Sequence, residues 1–434
     1  MTRVADNVER EATLKSHVHP LTRHGVPRLR QGAAAPAIQC ALCRWQLVDH
    51  PQRRSSVAAL TNPPLSYHPA MHVALLTCSD WLDEELAPFL HLCVGLFDEQ
   101  VRITQVMPQG LPVEDAAPFG ERVAWCESMW GFLRRRRLSN LAPTLADKEI
   151  TVVHALSGEL WRGALDLSEA IQAATVLTVR CEEDLDLAED LRRPIEAARA
   201  GLAATTQPLA HALKQRLGDG ALIRLTAPGV HASDIIAPAR AEGTPFCAAI
   251  SGGDRNDADY DALFAALRRI VDDHPDAQFF VDVQSADGHS LYRRARQLKL
   301  LPNLSMVPHR LGHRDDLLGA GVLIHPQPLA QSRSITLAAM ARGIPVIARR
   351  DPWLDYLIDD QTAWLVDKPD AKRWEELLRL LILAPEDGAA LGQRAREWVQ
   401  HHRSPSQHVA ATLDLYRQTT GEAIKFPGRG KGKE

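Results

Sequence analysis

Two serines and an arginine near the end of the chain could together hold an anion. Ser332, Arg333 and Ser334 open the stretch SRSITLAAMAR, where helical periodicity begins. Free backbone amides at a helix N-terminus favour negative charge, and a neighbouring guanidinium strengthens that preference. The sequence therefore predicts an anion site at this helix start, and the predicted site extends to Ile335 and Thr336. The structural alternative is that Ser332 or Ser334 only caps the helix, with Arg333 pointing to water.

A second candidate for anion binding follows a predicted strand, in the stretch SGGDRND. Gly252 and Gly253 allow a sharp turn and a close approach of the backbone to a ligand. Arg255 lies two positions further, where its guanidinium could reach a phosphate. A plain turn explains the two glycines equally well, and a solvated loop position explains the arginine.

His154 is the candidate catalytic residue. It stands near the end of the predicted strand ITVVHALS, at the carboxyl edge where the residues that line a cleft occur in open α/β sheets. An imidazole there could bond the hydroxyl of a second substrate or titrate near neutral pH. A single histidine is also compatible with a purely structural role.

The elements that must position these residues alternate between strands and helices. From Met71 onward, short apolar runs alternate with longer amphipathic segments, which is typical of a parallel sheet with helical crossovers. Six strands are predicted in the first half, with helices beginning near Glu159, Leu185 and Pro208. After a break rich in Pro, Gly and Ala, six more follow at FCAAI, QFFVDV, LSMV, GVLIH, IPVIA and AWLV. The expected fold class is α/β, with two Rossmann-like domains facing across a cleft.

Length, charge and missing motifs exclude several classes of protein. A chain of 434 residues exceeds what one hydrophobic core serves, and a net charge of -4 argues against nucleic acid as a partner. The sequence contains no transmembrane-length apolar run and no secretion signal, so a cytoplasmic location is expected. GxGxxG, GxxxxGK[ST], HExxH and nucleophile-elbow patterns do not occur, so the enzymes that carry them lack support.

The cysteines predict reduced thiols. Their number is 7, which is odd, and they are scattered over a long chain. Cys40 and Cys43 form a CxxC pair, but a zinc site would need a second pair of ligands at metal spacing. No metal and no other cofactor is therefore expected.

The order of segments resembles that of the GT-B glycosyltransferases, and within them the retaining family 4, from His72 to Tyr416. The more specific motifs are PDAQFFVDV, LPNLSMVPHRLGHRDDLLGAGVLIHPQP and LAAMARGIPVIARRDPWLDYLIDDQTAWLV, whereas ITVVHALS and APGVHASD match weaker signatures. The resemblance implies a nucleotide-sugar donor in the second domain. It leaves the acceptor open as a glycan, a lipid or a small molecule, and it leaves peripheral membrane contact open.

Composition and the resemblance together predict five segments. They are a flexible basic extension over 1–70, an acceptor-side domain over 71–235, a nucleotide-sugar-side domain over 236–403, a helix returning to the first domain over 404–420 and a disordered tail over 421–434.

The side chains that bind the donor in this family are absent. The positions that match the family's Arg, its Lys and its two Glu residues are, in that order, Gly253, Ala258, Ala330 and Ala338. Losing all four removes charge-assisted contacts worth roughly 1.5 to 3 kcal/mol each. A donor held only in the family's usual way is therefore expected to bind poorly.

Two functions follow from this departure. The first is a retaining transferase of the hexosyltransferase type, in which Arg333, the helix start and Arg255 stabilise the leaving diphosphate. The alternative is a catalytically silent GT-B protein that binds a sugar or a partner protein. A third class, in which the basic extension binds nucleic acid, would show a steep salt dependence.

Overall fold

A computed structural model describes residues 71–111, 116–232, 236, 243–251, 257–282, 288–307, 317–328 and 331–421. Several predictions lie outside these residues: those for the basic extension, for the tail beyond residue 421, for Ala330 and for the Cys40–Cys43 pair. The predicted turn with Gly252, Gly253 and Arg255 also lies outside them.

The first half of the described chain forms a parallel sheet. Its strands are β1 (His72–Leu76), β2 (Arg102–Pro108), β3 (Glu121–Trp125), β4 (Val152–Ala155), β5 (Ala174–Val179), β6 (Gly201–Ala204) and β7 (Ile223–Leu225). They are arranged in the order β3-β2-β1-β4-β5-β6-β7. Every residue of β1 and β4 is buried, as expected for strands covered on both faces. The order of the strands reverses between β1 and β4, which opens a crevice at their carboxyl ends.

Helices cover both faces of this sheet. They are α1 (Ser79–Asp98), α2 (Gly131–Ser139), α3 (Ala142–Ala146), α4 (Trp161–Ile171), α5 (Glu182–Asp190), α6 (Arg192–Ala198) and α7 (Gln207–Leu217). The three predicted helix starts correspond to α4, α5 and α7. The sequence did not predict β3, α3 or α6, because each is short and buries only one or two side chains.

The second half forms a second parallel sheet, and all six of its predicted strands are confirmed. They are β8 (Cys247–Ile250), β9 (Gln278–Asp282), β10 (Leu304–Val307), β11 (Leu323–His325), β12 (Val346–Arg349) and β13 (Trp364–Val366), in the order β10-β9-β8-β11-β12-β13. The helices of this half are α8 (Asp257–Asp273), α9 (Gly288–Gln297), α10 (Ser334–Ala341), α11 (Ala371–Leu383) and α12 (Pro385–His402).

A backbone contact fixes the place of α10. Gly343 follows the helix with a positive φ of 73° and ends it. A Cβ built on Gly392 of α12 would lie 1.9 Å from the carbonyl oxygen of Gly343. The two helices can pack this closely only because residue 392 has no side chain.

The last helix, α13 (Pro405–Thr420), returns to the first sheet, as predicted. A capping box begins it: Ser404 accepts from the amide of Gln407, whose side chain in turn accepts from the amide of Ser404. The helix passes so close to α1 that a Cβ on Gly95 would lie 2.3 Å from Cγ2 of Val409. The predicted domain boundaries themselves stay a prediction.

Candidate anion-binding cleft

Two carboxylates of α1 meet the start of α10 across the cleft between the sheets. The amide of Ser334 donates to Oε1 of Glu85 (3.1 Å), and the hydroxyl of Ser334 donates to the carbonyl oxygen of Glu84 (2.7 Å). Glu85 is only 5% exposed. The amide that the sequence assigned to an external anion is therefore bound to a carboxylate of the same chain.

Arg333 is also bound to the first half of the chain. Its guanidinium lies 3.3 Å from Oε1 of Glu84, its side chain is 7% exposed, and its amide donates to the hydroxyl of Tyr356. Its Nε is buried and has no hydrogen-bond partner within the described residues. Arg333 is itself the N-cap residue, and neither Ser332 nor Ser334 caps the helix through its side chain. The capping alternative, with the arginine in water, is therefore wrong.

The carboxylate of Glu84 is also contacted by side chains from both halves of the chain. Arg180, directly after β5, lies 3.5 Å from Oε2 of Glu84, and Nε2 of Gln331 donates to the same oxygen at 3.2 Å. These contacts and the pair with Arg333 tie β5, α1 and the segment before α10 to one carboxylate. The cleft is closed at this point by charge-assisted hydrogen bonds.

A kink in α1 brings the two glutamates to this position. Glu85 has the non-helical angles φ -125° and ψ 24°, and Pro88 lies inside the helix. Proline has no N–H, so the carbonyl of Glu84 loses its donor four residues on and becomes available to the Ser334 hydroxyl. Glu84 and Glu85 were not predicted from the sequence. The signal that could have found them is a proline inside an otherwise regular amphipathic helix.

His154 lies at the carboxyl edge of β4, where it was predicted, but it does not titrate near neutral pH. Its Nδ1 lies 2.7 Å from the hydroxyl of Tyr416 in α13, and its Nε2 lies 2.8 Å from Oγ1 of Thr178 in β5. Burial lowers the pKa of His154 to about 3. The prediction of a neutral-pH titration is therefore wrong, and the ring instead links Tyr416 of α13 to Thr178 of β5.

Ile335 and Thr336 position α10 from behind. Ile335 packs in the apolar core of the second half. The hydroxyl of Thr336 lies 2.8 Å from Nε2 of His325, whose Nδ1 lies 2.6 Å from the carbonyl oxygen of Ser251. A carbonyl only accepts, so Nδ1 carries the proton and Nε2 accepts from Thr336. His325, which the sequence analysis missed, thereby fixes the first turn of α10.

A pocket of about 400 Å³ lies in front of these contacts. Its walls include Cys78 after β1, Ser157 after β4, Arg180 after β5 and Arg333. The carboxyl ends of three strands and the start of α10 therefore face one space, the usual place for a ligand in an α/β sheet.

The other replaced donor positions lie away from this pocket wherever the structure describes them. Ala258 is exposed on α8, and Ala338 is half-buried against the apolar core. Within the described ranges, no three His, Cys, Asp or Glu side chains are grouped so as to hold a metal ion. No helix in the described part of the chain is long and apolar enough to cross a membrane.

Comparison with known proteins defines the class of this fold. No protein-family model and no curated protein sequence matches the chain. Sucrose-phosphate synthase from Thermosynechococcus elongatus is similar in structure, with a TM-score of 0.65 and 16% identity over 81% of this chain and 99% of that chain. HepE from Anabaena, solved in complex with UDP-glucose, gives a TM-score of 0.60 and 12% identity over 79% of this chain and 99% of that chain.

A third similar structure is a Listeria monocytogenes protein assigned as a UDP-N-acetylglucosamine 2-epimerase, with a TM-score of 0.55 and 12% identity over 82% of this chain and 98% of that chain. The chain has the GT-B fold: two Rossmann-like α/β domains with a helical C-terminus. Because proteins named for different reactions share this fold, the function must be argued from the site.

Proposed function

We propose that this chain is a glycosyltransferase-like protein that binds a nucleotide-sugar in the cleft and transfers its sugar with retention, as the resemblance to family 4 implies. The observation that carries the proposal is that the start of α10 binds carboxylate side chains of α1. Ser334 and Arg333 already hold a carboxylate pair there, so this place is built for negative charge. A donor diphosphate would replace the Glu85 carboxylate at the Ser334 amide.

The chemistry of such a site is electrostatic. The bond between the anomeric carbon and the diphosphate oxygen breaks, and an acceptor hydroxyl oxygen bonds to that carbon on the same face. The proton of the hydroxyl leaves with the diphosphate. Arg333 and the α10 amides would stabilise the charge that develops on the leaving group. The Nε of Arg333 is buried and has no hydrogen-bond partner within the described residues, so it could donate a further hydrogen bond to the diphosphate.

A catalytically silent binding protein is the second candidate, and a specific observation favours it. Glu84 and Glu85 satisfy the cations and amides that a donor would need. If the cleft never opens, these contacts serve as a permanent structural joint.

Calorimetry with UDP, GDP and ADP on the parent and on Glu85→Gln tests the proposal. Removing the competing charge should tighten binding of the preferred nucleotide by roughly tenfold, the effect of one charge-assisted contact. Arg333→Ala should weaken it by roughly tenfold. Asp80→Asn is the matched control, because Asp80 is an exposed acid on α1 that lines the same pocket without bonding α10.

Two outcomes would contradict parts of this proposal. Failure of both the parent and Glu85→Gln to bind any of the three nucleotides would overturn donor binding. Binding without any release of nucleotide diphosphate from the matching nucleotide-sugars, even in Glu85→Gln, would favour the silent protein.

A further inference from the structure

The end of the loop after β3 and the first turn of α2 present large apolar side chains to water. Met129, Trp130 and Phe132 are 96%, 68% and 68% exposed. The rings of Trp130 and Phe132 lie 6.4 Å apart, centroid to centroid, and Met129 directly precedes Trp130 in the chain. We call these three residues the Met129–Phe132 patch. Exposed aromatic clusters of this kind mark interaction sites more often than accidents of packing.

The patch is held in a fixed shape by arginines of α2. Nε of Arg134 donates to the carbonyl oxygen of Ser128 (3.1 Å), and Arg137 donates to the carbonyl oxygen of Glu127 (2.6 Å). These bonds fasten the loop to the helix that follows it. The exposure of the aromatic side chains is therefore a property of an ordered surface.

The remaining two arginines of the run border the patch. Arg135 and Arg136 are exposed on α2, and both Nε and Nη2 of Arg135 donate to the carboxylate of Asp166, at 2.5 and 2.8 Å. Within the described residues Arg136 has no such partner, so its guanidinium is the one available to an anionic surface. A surface that combines Trp and Phe with adjacent guanidinium groups matches the interfacial region of an anionic bilayer, where aromatic rings lie at the headgroup level beside lipid phosphates.

The patch lies at the same edge of the sheet as the cleft. Glu127, which precedes it, accepts from both the amide and the hydroxyl of Ser79 at the start of α1 (3.2 and 2.6 Å). Arg134 is ion-paired with Glu159, a residue that lines the cleft pocket. Docking through this loop would therefore bring the first-domain side of the cleft close to a bilayer surface.

We propose that the Met129–Phe132 patch docks this protein on an anionic lipid bilayer, with Trp130 and Phe132 entering the interface and Arg136 facing lipid phosphates. If the chain is the proposed transferase, the docked cleft faces an acceptor carried by a membrane lipid. The overall charge of -4 leaves the attraction local, so apolar insertion and Arg136 act together.

Sedimentation of the full chain with large vesicles tests the docking. Vesicles of phosphatidylcholine alone are compared with vesicles that also contain phosphatidylglycerol, an anionic lipid. The parent should bind the anionic vesicles about fivefold more than the neutral ones, the effect of about 1 kcal/mol for one arginine near an anionic surface. Trp130→Ala/Phe132→Ala should lose most of this binding, and Arg136→Glu should lose it on anionic vesicles.

Leu383→Ala is the matched control, because Leu383 is 74% exposed on α11 of the second half, and it should bind like the parent. The thermal midpoint of each variant establishes that it is folded. Absence of parent binding to anionic vesicles, or equal binding by the double variant, overturns the proposal. Self-association of the parent that the double variant abolishes, without vesicle binding, would assign the patch to a second copy and also overturn it.

Nucleotide calorimetry separates this proposal from the proposed function. The double variant should bind nucleotide like the parent, because the patch does not touch the start of α10. If the protein binds vesicles but no nucleotide, membrane docking is supported and the proposed donor site is wrong. If it binds nucleotide but not vesicles, the donor site is supported and membrane docking is wrong.

Discussion

Glu85 is the residue on which the state of the cleft depends. A buried carboxylate is costly unless it accepts hydrogen bonds, and the amide of Ser334 supplies one from the opposite half of the chain. The two halves therefore stabilise each other through a group that must be solvated or paired again whenever they separate. A diphosphate entering the cleft would have to compensate for this loss.

His325 contributes to the free energy of unfolding, and this contribution depends on pH. Burial lowers its pKa to about 4 from the usual 6.5. Between these two pH values the imidazole is protonated in the unfolded chain and neutral in the folded chain. Its contribution is complete above pH 6.5 and is lost as the pH falls towards 4. Each pH unit in that window costs up to about 1.4 kcal/mol of the free energy of unfolding.

Urea unfolding at pH 7.5, 6.0 and 5.0 checks this expectation. His325→Gln should be less stable than the parent at pH 7.5, and the difference should shrink as the pH falls, because glutamine does not titrate. His211→Gln, on the exposed face of α7, serves as the control. A difference between parent and His325→Gln that stays constant over the three pH values would contradict the argument.

At the scale of elements, the strands of the second sheet were predictable because burial on both faces makes them continuous apolar runs. β3 was not predictable in the same way, because ERVAW is partly exposed and polar. The start of α10 was located correctly by its serines and arginine. Its partner was not, because a contact between Ser334 and Glu85 spans 249 positions and no local pattern encodes it.

The close packing of α10 against α12 leads to a prediction about stability. Gly392→Ala would place a methyl group against the carbonyl of Gly343, and a backbone atom cannot move aside as a side chain can. We expect the free energy of unfolding to fall by about 1 to 3 kcal/mol, the usual cost of overpacking. Gly220→Ala is the control, because nothing lies within 4 Å of its added Cβ. Equal stability of the two variants in urea would show that the two helices can separate freely.

At the scale of the whole molecule, a few polar contacts hold the closed cleft. Besides the α1–α10 contacts, the amide of Gln207 at the start of α7 donates to Asp355 (2.9 Å), and Nε1 of Trp353 donates to Glu182 (3.3 Å). Each joins the first half to the second. Interfaces of this polar kind permit domain motion, so an open form is expected in equilibrium with the closed one.

Hydrogen exchange of Glu84→Gln/Glu85→Gln measures that equilibrium. Peptides that cover the start of α10 and the kinked part of α1 should exchange roughly tenfold faster than in the parent, since charge-assisted bonds across the cleft are weakened. Peptides of α11, which does not touch the cleft contacts, should be unchanged. Faster exchange throughout the chain would instead indicate general destabilisation.

Because α1 is kinked near Pro88, its Glu85 carboxylate competes with any external anion for the amide of Ser334. A group held on the same chain acts at an effective concentration that is millimolar or higher, and diluting the protein does not relieve it. The apparent dissociation constant of any phosphate ligand is therefore the intrinsic constant divided by the fraction of molecules in which Glu85 has left Ser334. Two chains with identical cleft residues would then differ in apparent affinity if only one of them kept the proline, three positions outside the contact itself.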